Sequence, residues 1–480
     1  MGSCRTRLTM WILLAAVAAG PIGLGAWSSA ATVEEYPITP GTELTLKQAI
    51  LIALRYHPRR KQRIYEASAA REKIGEARAL MGPQLHGVAE EIGATDNPVG
   101  DTQYIAYPFY NMPTIHSSNF SRPEPARMGN TFDWYNNFLT GYSLDQFLFD
   151  FGRHRGFVKQ RQFEAQAAED RQLLTDLNLI FEVSRRYFAL LRAKQMVRVF
   201  EKAVEQRRFH LHEAQVKASA KLRPDVDVYT MEAELQRAEL HMVDARYALA
   251  DAKVALDNAM GLSDLAPSYE PADVLTYGKI SDTMRALLQL AYRTRPDVKM
   301  FQALIEAMGA QVVQFRSDYF PSAGAFSEGT TMGSSLTGSP SFAQPANNWA
   351  VGLVVHWPIF NSFLTTHQLQ AAKLSQKAIE YALADLNQRV IFQVKTAFLN
   401  WQASVERIER AEKALAASRV ELELVEKRYE AGLTNIVFLE DAERHYTDDD
   451  AQYADSLYDF SYAKAQVDHA TGRALEVEAR

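Results

Sequence analysis

The stretches "LTLKQAILIALRYHP" (44–58) and "ISDTMRALLQLAYRTRP" (280–296) each end an apolar helical run at a proline. A shift of 238 residues lays Pro58 on Pro296 and Pro83 on Pro321, with "RALMGPQL" (78–85) over "RSDYFPSA" (316–323). Further along, the best shift becomes 211: Phe149-Asp150 falls on Phe360-Asn361, Glu232 on Glu443, and Gly261 on Gly472. Two units of one design therefore follow each other, and a repeat of this kind dictates the fold. The change of shift places an insertion of 27 residues in the first unit, between Pro83 and Phe149. The segment 95–130 there mixes Asn, Pro, Ser and aromatic residues and reads as a long exposed loop.

Each unit has the same order of parts. A helix of about 30 residues precedes the second proline; then come a strand, a loop, a strand, a very long helix, a turn and another long helix. Residues 153–218 contain no proline and one glycine, Gly156, and residues 364–431 contain neither. Unbroken, each stretch spans roughly 100 Å. The strands show the other period. In "NWAVGLVVHWPIF" (348–360), Trp349, Val351, Leu353, Val355, Trp357 and Ile359 share one face, while Ala350, Gly352, Val354 and His356 share the other. Phe138, Thr140, Tyr142 and Leu144 hold the equivalent places in the first unit. Such alternation fits a barrel strand between lipid and lumen, and it also fits a soluble sandwich. The export signal described next, with aromatic residues at strand ends, favours the barrel, with Phe138, Tyr142, Leu144, Trp349, Val351, Leu353, Val355 and Trp357 facing lipid. Four strands cannot close a barrel, and open edges in lipid are untenable, so the chain must oligomerise. Three copies supply a barrel of about twelve strands, within the known range.

The 480 residues carry a net charge of −6 with dispersed basic residues, which argues against a nucleic-acid surface. At the N-terminus, Arg5 and Arg7 precede the apolar run "WILLAAVAAGPIGLGA" (11–26) and the small residues "SSAA" (28–31), the pattern of a secretory signal peptide over 1–30. Cys4, the only cysteine, precedes that run and leaves with it, so no disulfide is expected. In "FHLHE" (209–213), His210 and His212 are two apart on a helix and point away from each other, which disfavours a shared metal. His57 has Arg295 as its counterpart, so a catalytic role for it is disfavoured. No nucleotide loop, zinc signature or nucleophile elbow is found. We expect no enzyme activity and no cofactor or metal. The acidic stretch of Glu440-Asp441 and 447–459 reads either as a cation-attracting lumen or as a solvated helix face.

The paired "HP" and "RP" helices, "LFDFG" (148–152), "PIFN" (358–361) and above all "KRYEAGLTNIVFLEDAERHY" (427–446) resemble the TolC family of outer-membrane efflux proteins. The resemblance implies a mainly α chain with a small β part, a duplicated long-helix repeat. Its four strands complete a 12-stranded trimeric transmembrane β-barrel, above a periplasmic α-helical barrel. It further implies an export channel in the outer membrane. The partners would be a homotrimer, a periplasmic adaptor (membrane fusion) protein, an inner-membrane RND, ABC or MFS transporter, and outer-membrane lipid. By this resemblance Asp227, Tyr429 and Asp441 lie at the periplasmic gate or lumen. Phe438 stands where the family has a first acidic position, which suggests an apolar ring across the pore. Thr434 replaces a gate-linking arginine, and Lys221 replaces the turn glycine of the other unit. The turn tips Lys221, Leu222, Arg223, Gly432, Leu433 and Thr434, farthest from the barrel, are expected to dock the adaptor. The chain divides on this reading into a signal peptide 1–30 and a first repeat 31–262, with strand–loop–strand over 83–150. A linker 263–284 and a second repeat 285–480 follow. A scaffold of coiled coils without a pore is the alternative, which explains the helices but not the paired strands.

Overall fold

The computed structural model describes residues 41–95, 134–221, 224–262, 269–278, 282–333 and 346–475. The expected signal peptide, the core of the long insertion, and Leu222 and Arg223 lie outside them. The first unit contains β1 (Thr42–Leu44), α1 (Leu46–Tyr56), α2 (Pro58–Ala79), β2 (Gln84–Thr95), β3 (Trp134–Phe149), α3 (Arg153–Ser219) and α4 (Asp225–Met260). After β4 (Tyr269–Pro271) the second unit runs α5 (Met284–Thr294), α6 (Pro296–Ser317), β5 (Ser322–Gly333), β6 (Ala346–His356), α7 (Leu364–Glu430) and α8 (Ile436–Thr471). Corresponding helices have equal lengths: 11 residues for α1 and α5, 22 for α2 and α6, 67 for α3 and α7, and 36 for α4 and α8.

The expected 30-residue helix is two helices in each unit. His57 (φ −62°, ψ 124°) and Arg295 (φ −63°, ψ 123°) leave the helical region because the following proline ring excludes it. Pro58 and Pro296 then open α2 and α6 at the first position, where a missing N–H costs nothing. The two joints differ in chemistry. The His57 ring accepts the Arg59 N–H at 3.1 Å as a cap. Arg295 is buried and binds Asp297 at 2.6 Å, Gln393 on α7 at 2.9 Å and the Ala470 carbonyl on α8 at 2.9 Å.

The returning helices end at these joints. Gly261 and Gly472 close α4 and α8 with φ of 74° each. A Cβ on Gly261 would meet His57 Cα at 2.7 Å, and one on Gly472 would meet the Thr294 hydroxyl at 3.0 Å. So α4 runs on into α2, and α8 into α6, as interrupted rods beside the unbroken α3 and α7. Toward the sheet the rods lie in the order α2–α3–α6–α7, and at the far end in the order α4–α3–α8–α7. Gly156 permits the close approach of α3 to α6, since a Cβ there would lie 2.9 Å from Gln314 and 3.0 Å from the Ala310 carbonyl.

Around the joints lie the two main cores. One joins Ile52, Val183, Tyr187, Leu190, Leu256 and Met260; the other joins Leu287, Val390, Val394, Trp401, Phe460 and Val467. Within the expected linker, β4 pairs in parallel with β1. The Tyr187 hydroxyl fastens this pair, 2.7 Å from both the Leu44 carbonyl and Asp273.

Candidate functional site

The candidate surfaces lie at opposite ends of the rods. At one end β2–β3–β5–β6 form an antiparallel sheet in that order. The register aligns Leu85, Leu144, Ser327 and Val351 in one row, and Gly87, Tyr142, Gly329 and Trp349 in the next. On this face Trp349, Val351, Leu353 and Val355 stand exposed, Leu353 at 76%. The Trp349 indole donates to the Tyr142 hydroxyl at 3.0 Å, and the Tyr142 ring covers Gly329. The opposite face aligns Gln84, Asp145, Phe326 and Gly352, then His86, Ser143, Glu328 and Ala350. In these rows one face is uncharged and mostly apolar, and the other carries Asp145, His86 and Glu328. Phe138 falls in register on the apolar side, opposite Gly333. One expectation needs correction: β6 ends at His356, so Trp357 lies beyond the strand. Its indole donates to the Tyr319 carbonyl at 3.1 Å. Among the described residues β2 and β6 each have one edge without a neighbouring strand.

The passage from sheet to rod is the same in both units. Phe151 (φ 53°) and Gly152 (φ 103°) in the first, Ser362 (φ 54°) and Phe363 (φ 65°) in the second, are left-handed. Asp150 caps α3 by accepting the Gly152 and His154 N–H groups at 3.1 and 2.7 Å.

At the far end two turns close the helix pairs. Gly432 (φ 74°) and its counterpart Lys221 (φ 56°) are both left-handed. Leu433 is exposed, and Thr434 half-buried. Ala214, Met231, Leu422, Tyr429, Ile436, Leu439 and Ala442 form one apolar cluster that binds the two turns together. Tyr429, expected at the gate, is only 1% exposed in this cluster. The Lys217 ammonium lies 5.0 Å from its ring. Tyr429 is therefore a core residue of the tip, not a lumen residue. Asp227 is also buried, in the first turn of α4. Phe438 is 60% exposed at the start of α8, its N–H held by the Asn435 cap. Asp441 is half-buried and bonds Arg444 at 2.6 Å.

Beneath this surface lies a charge cluster that the sequence did not reveal. His210 on α3 reaches Glu443 on α8 at 3.1 Å and Glu213 at 3.6 Å. Burial opposes protonation of His210, but the carboxylates of Glu443, Glu426 and Glu213 outweigh it and raise its pKa. Burial, aided by Glu234, Glu443 and Asp441 against the opposing Arg237, pushes Glu440 up to about 7. The signal was present in the repeat: buried Glu443 answers exposed Glu232. The acidic stretch beyond is partly used in ion pairs, Asp455 with Arg192 at 2.5 Å and Asp459 with Arg407 at 3.3 Å. Among the described residues no cluster suited to a metal ion is present, and no helix is long and apolar enough to cross a membrane.

The family model for outer membrane efflux proteins matches residues 53–262 and 287–473. The chain is 21% identical over 402 residues to outer membrane protein TolC of Vibrio cholerae, covering 82% of this chain and 88% of that protein. It is 23% identical over 342 residues to the alkaline protease secretion protein AprF of Pseudomonas aeruginosa, covering 69% of each. The Campylobacter jejuni CmeC outer membrane channel has the same fold, with a TM-score of 0.73 and 15% identity over 89% of this chain and 85% of that one.

Proposed function

The chain belongs to the outer membrane efflux protein family, and on that premise we propose that three copies close a single twelve-stranded barrel. As a member of this family it is an outer-membrane export channel that projects into the periplasm. The observation that carries the trimeric reading is a sheet of four strands whose β2 and β6 edges have no neighbouring strand among the described residues. Unpaired edges in a hydrocarbon phase each leave a row of polar groups unsatisfied at several kcal/mol apiece, by general estimates roughly 2–7 per group. Closure across copies removes both edges.

The duplication supports a register for that closure. Gln84 pairs with Asp145, and their counterparts Ser322 and His356 pair as well. Leu144 pairs with Ser327 inside the chain. Their counterparts are Val355 and Ala89, so Val355 of one copy pairs with Ala89 of the next. Both stand on the apolar face.

In this reading Tyr142, Leu144, Trp349, Val351, Leu353 and Val355 meet lipid, and Phe138 and Trp357 flank them. The tips at Lys221, Gly432, Leu433 and Thr434 engage a periplasmic adaptor that links the channel to an inner-membrane transporter. Phe438, exposed beside the turn, narrows the conduit as an apolar ring, with Asp441 one turn beyond. Planar-bilayer recording of the purified protein tests this: Phe438→Ala should raise conductance. A conductance identical to wild type removes Phe438 from the gate.

A further inference from the structure

We propose that the groove between the sheet-proximal ends of α6 and α7 binds the headgroup of an anionic glycerophospholipid from the membrane leaflet on the rod side. The proposal rests on the lipid-facing reading of the sheet. The groove encloses about 390 Å³ and is lined by Val312, Arg316, Tyr319 and Phe320 from α6 and its end, and by Leu369 and Lys373 from α7.

Three observations lead to this ligand. The first is charge. Arg316 and Lys373 are exposed on opposite walls, and among the described residues neither is recorded in an ion pair. The neighbouring carboxylate, Asp318, lies 3.4 Å from Arg153 instead. Two cations facing one cleft without a carboxylate suit a phosphodiester, which accepts from a guanidinium fork and an ammonium together.

The second observation is wall chemistry. Val312 and Leu369 give an apolar floor, and Tyr319 and Phe320 an aromatic upper wall. That wall is fixed: the Tyr319 hydroxyl donates to Thr366 at 2.9 Å, and the Phe320 ring stacks on Phe151 at 4.9 Å. A wholly water-soluble anion has no use for such walls, whereas a glycerol ester and the first methylenes of an acyl chain do.

The third observation is position. The Trp357 indole, bonded to the Tyr319 carbonyl, continues the exposed alternation of Val351, Leu353 and Val355 down to the groove. A headgroup held by Arg316 and Lys373 therefore sends its tails along the apolar face of β6. Aromatic rings stand between the two, at the level where Trp and Tyr border a bilayer. Basic residues beside a membrane each favour anionic lipid by an amount that, for two, corresponds to about tenfold or more in affinity.

The test uses the full-length purified protein and native mass spectrometry, with phosphatidylglycerol and phosphatidylcholine of matched chains added in turn. Wild type should retain phosphatidylglycerol about tenfold better than phosphatidylcholine. Arg316→Ala/Lys373→Ala should retain the two equally while still migrating as a heat-modifiable oligomer. Should the double variant fail to fold, each single variant is expected to lose roughly threefold of the preference. Equal retention of both lipids by wild type, or an unaltered preference in the variants, overturns the proposal. So does removal of the preference by millimolar inorganic phosphate, which would mark a small-anion site. A wild-type protein that forms no channel in bilayers would instead defeat the membrane reading beneath it.

Discussion

At the residue scale, two groups at the tip make it sensitive to pH in the same direction. His210 is stabilised by Glu443, Glu426 and Glu213 only while protonated, so its contribution is present below its ordinary value of 6.5 and lost as pH rises through its raised one. Glu440, ordinarily at 4.5, is pushed up to about 7 by burial with Glu234, Glu443 and Asp441 against Arg237, so the tip loses stability as pH rises from 4.5 through 7. Hydrogen exchange over 430–446, corrected for intrinsic rates, should therefore be slower at pH 5.5 than at pH 8. Glu440→Gln should flatten part of that difference; equal protection at both pH values in wild type would remove the effect. A pair of glycines gives a second contrast. Gly261 and Gly432 share φ of 74°, yet a Cβ on Gly261 would meet His57 Cα at 2.7 Å while Gly432 has nothing within 4 Å. Gly261→Ala should cost about 3 kcal/mol, and Gly432→Ala about 1 kcal/mol from backbone conformation alone. Lys221 already occupies the left-handed place equivalent to Gly432. Thermal dissociation of both variants tests this, and equal losses would contradict the assigned role of the joint. Sequence could not expose His210 as a partner of Glu443, because spacing along one helix says nothing of a residue on another rod. Tyr429 was misread for a related reason: its place beside the turn glycine is visible in sequence, and its burial under Lys217 is not.

At the element scale, period and punctuation made most of the fold legible. Absence of proline from 153–218 and 364–431 marked α3 and α7, and alternation at Trp349–Val355 marked the outward face of β6. The prolines that end the apolar runs marked these joints, and only the single helix of about 30 residues read across them is divided, since proline at a first helical position continues the apolar pattern on both sides. The end of β6 at His356 was missed because Trp357 keeps the alternation after the ladder has stopped. The two faces of the sheet should respond differently to charge. Leu353→Lys places an ammonium on the apolar face and should cost about 2–4 kcal/mol near the bilayer midplane. Glu328→Lys, on the opposite face, should leave assembly intact and alter ion selectivity. Comparing heat-modifiable oligomer yield for the two variants checks the assignment; equal yields would mean that the faces are not lipid and lumen.

At the scale of the whole molecule, the duplicated rods make a conduit wall roughly 100 Å long from one chain. The four-stranded sheet has edges at β2 and β6 that no strand among the described residues pairs, and the proposed three copies close them into twelve strands. Sequence spacing revealed the two units and the strand count. It did not reveal the inter-copy register, which needed the observed pairing of Leu144 with Ser327 to be carried through the repeat. The measurement that bears most directly on this account is disulfide crosslinking of Ala89→Cys/Val355→Cys in outer membranes. The account predicts monomer, dimer and closed trimer bands and nothing larger, with no crosslink when Val355→Cys is replaced by Val354→Cys, whose side chain faces the lumen. Absence of crosslinking from the Ala89–Val355 pair, or a ladder continuing beyond three, would contradict closure of one barrel by three copies.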